Sequence, residues 1–363
     1  MLPGTRPIVI AHRGASAQRP EHTLAAYALA IAQGADFIEP DLVATADGEL
    51  IARHENALAV LSASGELDRG NTSTDVHSRP EFAARLTSKV IDGEPVRGWF
   101  SEDFTLAEIR RLRAVERIPT LRPQNAAYDG EFSIPTLAEI VALVKEEEAR
   151  SGRRIGIYPE TKHPSYFAQE GRRHDGSPIG IDLSALLVNA LCALDFTDPT
   201  RVFIQSFETG NLQTIANVLL PAAELVIPLI QLIDATGAPR DLVLSGDPRQ
   251  YADLITPRGL AQISHYAQGI GVPKRLVFTE PAQVPTRLVL DAHAAGLDVH
   301  VWTFRPENHF LPAQDRVGDG GSDRGRLADE LARQLRAGID GFFTDDPAAG
   351  VAAVRAGFPA LPG

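Results

Sequence analysis

The chain has 363 residues, 44% of them hydrophobic and 23% charged, which is enough to bury a sizeable core. Its 30 glycines and 26 prolines are scattered rather than periodic, which excludes collagen-like and low-complexity classes. A formal net charge of −12 repels the phosphates of a nucleic acid, so none is expected as a partner, yet local cations can still bind a small phosphate ester.

The single cysteine, Cys192, excludes an internal disulfide and reads as a buried helix residue. The longest apolar runs, 216–220 and 225–230, fall far short of a membrane span, so no stable membrane insertion is expected. Residues 1–7 run directly into a strand with no signal peptide. A cytoplasmic location is therefore expected, or a periplasmic or secreted one if a leader is missing from this chain. Nothing here speaks to oligomeric state.

In chain order, PIVIAH at 7–12 is a short buried strand that enters the turn His12-Arg13-Gly14. Thr23 is placed to cap the pattern LAAYALAIAQ, whose apolar positions recur at helical spacing, and Gly34 ends it. A second strand at 36–43 completes a β–α–β unit, which calls for parallel strands. Asp47-Gly48 marks a hairpin. Residues 55–103 are too long for a plain connection and lack one clear periodicity. With an aromatic cluster at Trp99, Phe100 and Phe104, they predict an insertion over a barrel mouth, within one domain spanning 1–363.

An outer helix resumes at 105–114. Helical patterns at 136–149, 183–194, 210–219, 257–266, 284–295 and 326–337 then accompany strands at 155–160, 202–207, 226–232, 266–270, 298–304 and 341–344. The fold class is α/β, and eight such strands predict a (β/α)8 TIM barrel, buried between an interior and an outer ring of helices. Because 266–270 is the weakest strand pattern, an open sheet of seven or eight strands is the alternative. The glycine-rich run VGDGGSDRG at 317–325 predicts a mobile loop. It is a poor phosphate loop, because it does not tightly join a strand to a helix.

Chemistry concentrates at strand ends. Glu39 and Asp41 sit two apart in a strand, so their carboxylates share a side. A two-residue turn at Asp47-Gly48 pairs residue 46 with 49 and hence 41 with 54, which returns His54 beside Asp41. Glu160 and Lys162 repeat the spacing in IGIYPETK. Barrel enzymes place catalytic groups at carboxyl-terminal strand ends, where His12, Arg13, Glu39, Asp41, His54, Glu160 and Lys162 all fall. Three converging carboxylates repel one another, and a hard divalent cation such as Ca²⁺ or Mg²⁺ resolves this. Plainer readings stand beside these: loop carboxylates for Glu39 and Asp41, a surface His54, a core His12, a solvated Lys162 and His163. His22, His77, His174 and His265 read as structural or exposed. Trp302 and Phe304 are each candidates for plain core, and a buried Gln205 amide needs partners.

The motifs HRG at 12–14, PEHT at 20–23, QGADFIEPDL at 33–42, ATADGELIARHE at 44–55 and GIYPETK at 156–162 carry a family resemblance. It continues through QSF at 205–207, PLIQLID at 228–234, YAQGIG at 266–271, VHVWTF at 299–304 and GIDGFFTD at 338–345. In this order, over nearly the whole chain, they resemble the glycerophosphodiester phosphodiesterase family, particularly its longer bacterial periplasmic type. The resemblance implies a (β/α)8 barrel that hydrolyses small glycerophosphodiesters to glycerol 3-phosphate and an alcohol, through a cyclic phosphate. It implies His12 and His54 as acid and base, with Glu39, Asp41 and Glu160 holding one divalent cation, Ca²⁺ before Mg²⁺. Arg13 and Lys162 would hold phosphoryl oxygens, and Gln205, Phe207 and Trp302 would meet the substrate. Many members carry PENT where this chain has His22, and Pro40 is a less usual residue between the two carboxylates. A phospholipase D-like headgroup hydrolase and a non-catalytic phosphoglycerol-binding protein are the rival readings.

Overall fold

The computed structural model describes residues 6–357. Local signals set the helix starts. Thr23 Oγ1 accepts from Ala26 N at 3.1 Å, opening helix Leu24–Ala32. Thr136 and Glu139 form a reciprocal capping box at the start of Leu137–Ser151, which Gly152 ends in the left-handed conformation. None of the described helices is long and apolar enough to cross a membrane.

Eleven short strands form one curled sheet. Ile8–His12 pairs in parallel with Gly341–Thr344 on one side and Phe37–Glu39 on the other. Pro40 and Pro159 lack an N–H, and each splits one extended run into two short strands: Phe37–Glu39 with Asp41–Ala44, and Gly156–Ile157 with Glu160–Thr161. The ladder survives both breaks. Tyr158 N donates to Ile38 O at 2.9 Å, Glu160 N to Pro40 O at 3.0 Å and Gln205 N to Pro159 O at 3.0 Å. Parallel pairing then passes through Ile204–Ser206, Leu229–Leu232, Gly269–Pro273, Asp298–Phe304 and Gly341–Thr344 back to Ile8–His12. The ring thus has eight strand positions, with their carboxyl ends on one rim.

Strand alternation sorts the inward side chains into two layers. The lower layer is apolar: Ile10, Phe37, Tyr158, Ile230 and Phe343 form their own cluster, with Phe203 packed against it. Tyr158 meets Phe203 at 5.0 Å and Phe343 at 5.1 Å, bridging the ring. Two residues further along the same strands stand His12, Glu39, Glu160, Gln205 and Leu232, which line the cleft above. The intervening residues, Val9, Ala11, Ile38 and Ile204 among them, are buried in the larger core beneath the outer helices.

Several expectations are corrected. The hairpin pairs Leu42 with Ala52 and Ala44 with Leu50, one residue out of the expected register, so Asp41 opposes Arg53 rather than His54. A three-residue connection explains it: Gly48 N donates to Thr45 O at 3.1 Å, and Gly48, at φ 83°, takes the left-handed position before Glu49. Residues 55–103 hide a four-stranded antiparallel sheet of Ala57–Leu61, Leu67–Asp68, Thr87–Ile91 and Glu94–Phe100. Trp99, Phe100 and Phe104 are buried within this segment's packing, with Trp99 Nε1 donating to Phe82 O at 2.8 Å.

The helix expected at 105–114 is only Leu106–Ile109, that at 210–219 becomes a π turn after Thr214, and that at 284–295 starts at Leu288. The strand expected at 226–232 starts at Leu229, leaving Val226 exposed, and that at 266–270 lies at Gly269–Pro273. Cys192 is exposed on its helix rather than buried. In the 317–325 loop, Asn308 Nδ2 donates to Val317 O at 2.7 Å and to Gly320 O at 3.1 Å.

Candidate active site

Register brings the three carboxylates together. His12 lies beside Glu39, Asp41 beside Glu160 and Glu160 beside Gln205 on consecutive strands. One oxygen each of buried Glu39, Asp41 and Glu160 lies within 4.8 Å of the others. Burial and the neighbouring Asp41 charge push Glu39 well above the usual carboxylate range. Burial likewise raises Glu160 to about 8 despite the Lys162 ammonium. Burial also opposes ionisation of Asp41, but Lys162, Arg13 and His22 outweigh it and hold Asp41 well below its ordinary value. Buried oxygen donors that repel one another suit a hard divalent cation, which would make all three carboxylates stable as anions.

These carboxylates are held in place. Arg13 N donates to Glu39 Oε2 at 2.9 Å, its Nη1 to Glu21 Oε2 at 2.9 Å, and its Nε lies 3.2 Å from Asp41 Oδ2. The turn requires Gly14: at φ 91°, a Cβ there would sit 2.7 Å from the Ala26 carbonyl carbon. His22, expected to be structural or exposed, is fully buried and pairs through Nε2 with Asp41 Oδ2 at 2.9 Å and through Nδ1 with Tyr27 Oη at 2.8 Å. Spacing contains no trace of this contact, since the turn at 13–23 alone returns His22 to Asp41. His77, His174 and His265 are exposed, as expected.

The two cleft histidines are oriented differently. His12 Nδ1 pairs with Asp345 Oδ1 at 2.7 Å, and Asp345 accepts from Arg122 Nη2 at 2.5 Å. Burial and Arg13 lower His12 to about 4, against the pull of Asp345. His54 Nδ1 lies 3.0 Å from Glu55 Oε1, and burial with Arg13 and Lys162 lowers His54 to about 3. His163 is not the solvated residue expected. It bridges Glu55 Oε2 and Asp92 Oδ2 at 2.7 Å each, and although burial opposes its charge, these carboxylates raise it to about 10.

The cleft has a volume of about 390 Å³ and is lined by His12, Arg13, Glu39, His54, Glu160, Lys162, Gln205, Phe207 and Trp302, with Arg117, Asp234 and Arg305. Lys162 Nζ lies 3.0 Å from Glu160 Oε1. Gln205 Nε2 donates to Glu39 Oε1 at 3.3 Å, while its Oε1 has no partner among the described residues. Phe207 and Trp302 meet edge to face at 6.0 Å. Phe304 instead packs on Phe342 in the core. Every residue singled out for chemistry therefore lines this cleft except Asp41, which lies buried within the carboxylate cluster. Asp345, Arg122, Arg117 and Arg305 went unrecognised, because only long-range packing returns them to the rim.

Parallel strands around an apolar plug, with carboxylates, cations and two histidines on their carboxyl rim, define an α/β-barrel enzyme of phosphoester chemistry. More specifically, the chain belongs to the glycerophosphoryl diester phosphodiesterase family, whose profile matches residues 12–349. It is 32% identical to a glycerophosphodiester phosphodiesterase of Arabidopsis thaliana over 95% of this chain and 85% of that protein. It is 29% identical to one of Haemophilus influenzae over 95% and 88%. The fold is similar to that of a glycerophosphoryl diester phosphodiesterase from Silicibacter pomeroyi, with a TM-score of 0.60 at 21% identity over 98% and 96% of the two chains. It is also similar to that of an Oleispira antarctica phosphodiesterase solved with sn-glycerol-3-phosphate as product, with a TM-score of 0.55 at 20% identity over 96% and 97%.

Proposed function

We propose that the protein hydrolyses glycerophosphodiesters to glycerol 3-phosphate and an alcohol. The observation that carries this reading is that His12 and His54 share one cleft with the Glu39–Asp41–Glu160 cluster. In this reading the three carboxylates hold one divalent cation, Ca²⁺ before Mg²⁺, which when bound neutralises charge on the phosphoryl oxygens. Arg13 and Lys162 add two fixed positive charges there. Phe207 and Trp302 flank the glycerol, and Gln205, anchored on Glu39, orients it.

One histidine takes the proton of the glycerol 2-hydroxyl as its oxygen bonds to phosphorus. The other, entering as the imidazolium, gives its proton to the departing alcohol oxygen as the bond to phosphorus breaks. Water then opens the 1,2-cyclic phosphate with the two roles exchanged. An internal hydroxyl is favoured as nucleophile because it is already held near phosphorus. Residues 55–103 form, in this reading, an insertion over the mouth. Support comes from Glu55, adjacent to His54, and Asp92, both paired with His163.

The test is turnover of sn-glycero-3-phosphocholine, sn-glycero-3-phosphoethanolamine and an intact lysophosphatidylcholine, after chelation and after restoring Ca²⁺ or Mg²⁺. Metal-dependent release of glycerol 3-phosphate from the first two is expected. Cleavage of the lysolipid alone would point to a phospholipase D-like enzyme, and binding without turnover to a phosphoglycerol-binding protein.

A further inference from the structure

We propose that Arg305 forms an anion subsite for a carboxylate or second phosphate carried by the leaving alcohol. Arg305 directly follows strand Asp298–Phe304 and lines the same cleft as His12. Its guanidinium makes no hydrogen bond among the described residues. Nε is ion-paired with Asp345 Oδ2 at 3.0 Å without hydrogen-bond geometry, and the two Nη groups have no hydrogen-bond partner among the described residues. Asp345 is shared, with His12 on Oδ1 and Arg122 on the same Oδ2 that Arg305 approaches. Arg122 is correspondingly saturated, donating also to Glu307 at 2.7 Å and to Ser16 O at 2.9 Å.

Arg305 is thus a cleft-wall cation whose one ion-pair partner among the described residues, Asp345, is shared with Arg122. Burial disfavours its charge, and Arg13, Arg122 and Arg117 disfavour it further, with Asp345 as the opposing influence. The face of Phe310, 4.5 Å from Cζ, supports the guanidinium plane. A ligand anion supplies what the Nη groups lack: a charged acceptor in a partly desolvated site.

The position of that anion rests on the reading above. The transferred phosphoryl group already faces Arg13, Lys162 and the carboxylate-bound cation, and glycerol occupies the Phe207–Trp302 side. The wall carrying Arg305 is then left for the alcohol.

Two matched substrate pairs test this in the presence of Ca²⁺. sn-Glycero-3-phosphoserine differs from sn-glycero-3-phosphoethanolamine by one carboxylate, and deacylated cardiolipin differs from glycerophosphoglycerol by a second phosphodiester. The wild-type enzyme is expected to favour the more anionic member of at least one pair in kcat/KM. Which pair shows the preference distinguishes carboxylate from phosphate. Arg305→Gln should reduce that ratio about tenfold or more, the scale of one charged hydrogen bond, through the anionic substrate's KM. Arg305→Lys, which keeps the charge, should retain part of the preference, and thermal unfolding would check that both variants fold. No preference in the wild-type protein, or equal losses on both members of each pair, would overturn the subsite. Equal losses would assign Arg305 to the transferred phosphoryl group or to Asp345 and His12. Failure to hydrolyse any of the four would instead sink the diesterase reading, and the subsite with it.

Discussion

Two histidines that look alike in sequence are held by unlike partners, which sets different expectations for each. His12 is fixed through Nδ1 by Asp345, itself clamped by Arg122, whereas His54 leans on Glu55. His12→Ala and His54→Ala should each lower kcat by about 10²–10⁴-fold without preventing folding, read by steady-state kinetics beside thermal unfolding. Near-normal turnover in either variant would remove it from proton transfer. His22 should act on the metal rather than on the proton, because it touches Asp41 and not the cleft. His22→Ala is therefore expected to weaken Ca²⁺ binding by about 10–100-fold in calorimetric titration, the usual effect of removing a ligand's support. Unchanged affinity would make His22 purely structural. The carboxylate cluster was legible because Glu39, Asp41 and Glu160 share the two-residue period of a strand with their neighbours. Their supports were not, because no period links His22 to Asp41 or His12 to Asp345.

At the scale of elements, a single residue in a turn changed the hairpin's register. Asp47-Gly48 correctly signalled a reversal, but Gly48 in the left-handed position with Thr45 behind it lengthens the loop by one residue and moves Arg53 opposite Asp41. His54 reaches the cleft nonetheless, because it lies just past the paired strand rather than within it. The segment 55–103 depends on a second histidine. His163 joins Glu55 to Asp92, and these carboxylates keep it protonated up to about pH 10 in the fold, far above an unfolded histidine near 6.5. The sign follows from a raised pKa. Its stabilisation is complete below about pH 6.5 and is lost as pH rises toward 10. His163→Gln should therefore lower Tm most at pH 6 and progressively less up to pH 10. A constant deficit across that range would show that the charge is not what matters.

For the whole molecule, closure is the controlling feature. Gly341–Thr344 is bonded to Asp298–Phe304 on one side and to Ile8–His12 on the other, so the last strand seals the first. Deleting 341–357 should abolish cooperative unfolding in calorimetry, since two flanking strands lose their ladder and the apolar plug loses Phe343. A sharp transition near the original Tm would mean that the ring is not needed for stability. Cation binding should act in the opposite direction. It relieves repulsion among Glu39, Asp41 and Glu160, and at 100 times its Kd it would add about 2.7 kcal/mol to stability, provided it binds only the folded chain. Chelation should lower Tm accordingly while abolishing turnover. Full activity in metal-stripped protein, verified by elemental analysis, would defeat the metal assignment.

The sequence by itself determined the order of the eight ring strands, most of the longer helices between them and the fold class, because hydrophobic period, caps and turn residues act over a few residues. Thr23, Thr136 and Asp182 start their helices as local chemistry dictates. It misplaced strand starts such as that at Leu229 and left 55–103 without structure. There the pattern ALAVL at 57–61 has no alternation, and Gly98 needs the close approach of Ala59 O, 2.1 Å from where a Cβ would stand. Only the tertiary structure decided which groups hold the candidate site residues. Asp345, Arg122 and His22 meet their partners across 333, 223 and 19 positions of chain, respectively. Those contacts arise from closing the ring and from the turn after His12, where position in space replaces periodicity along the chain.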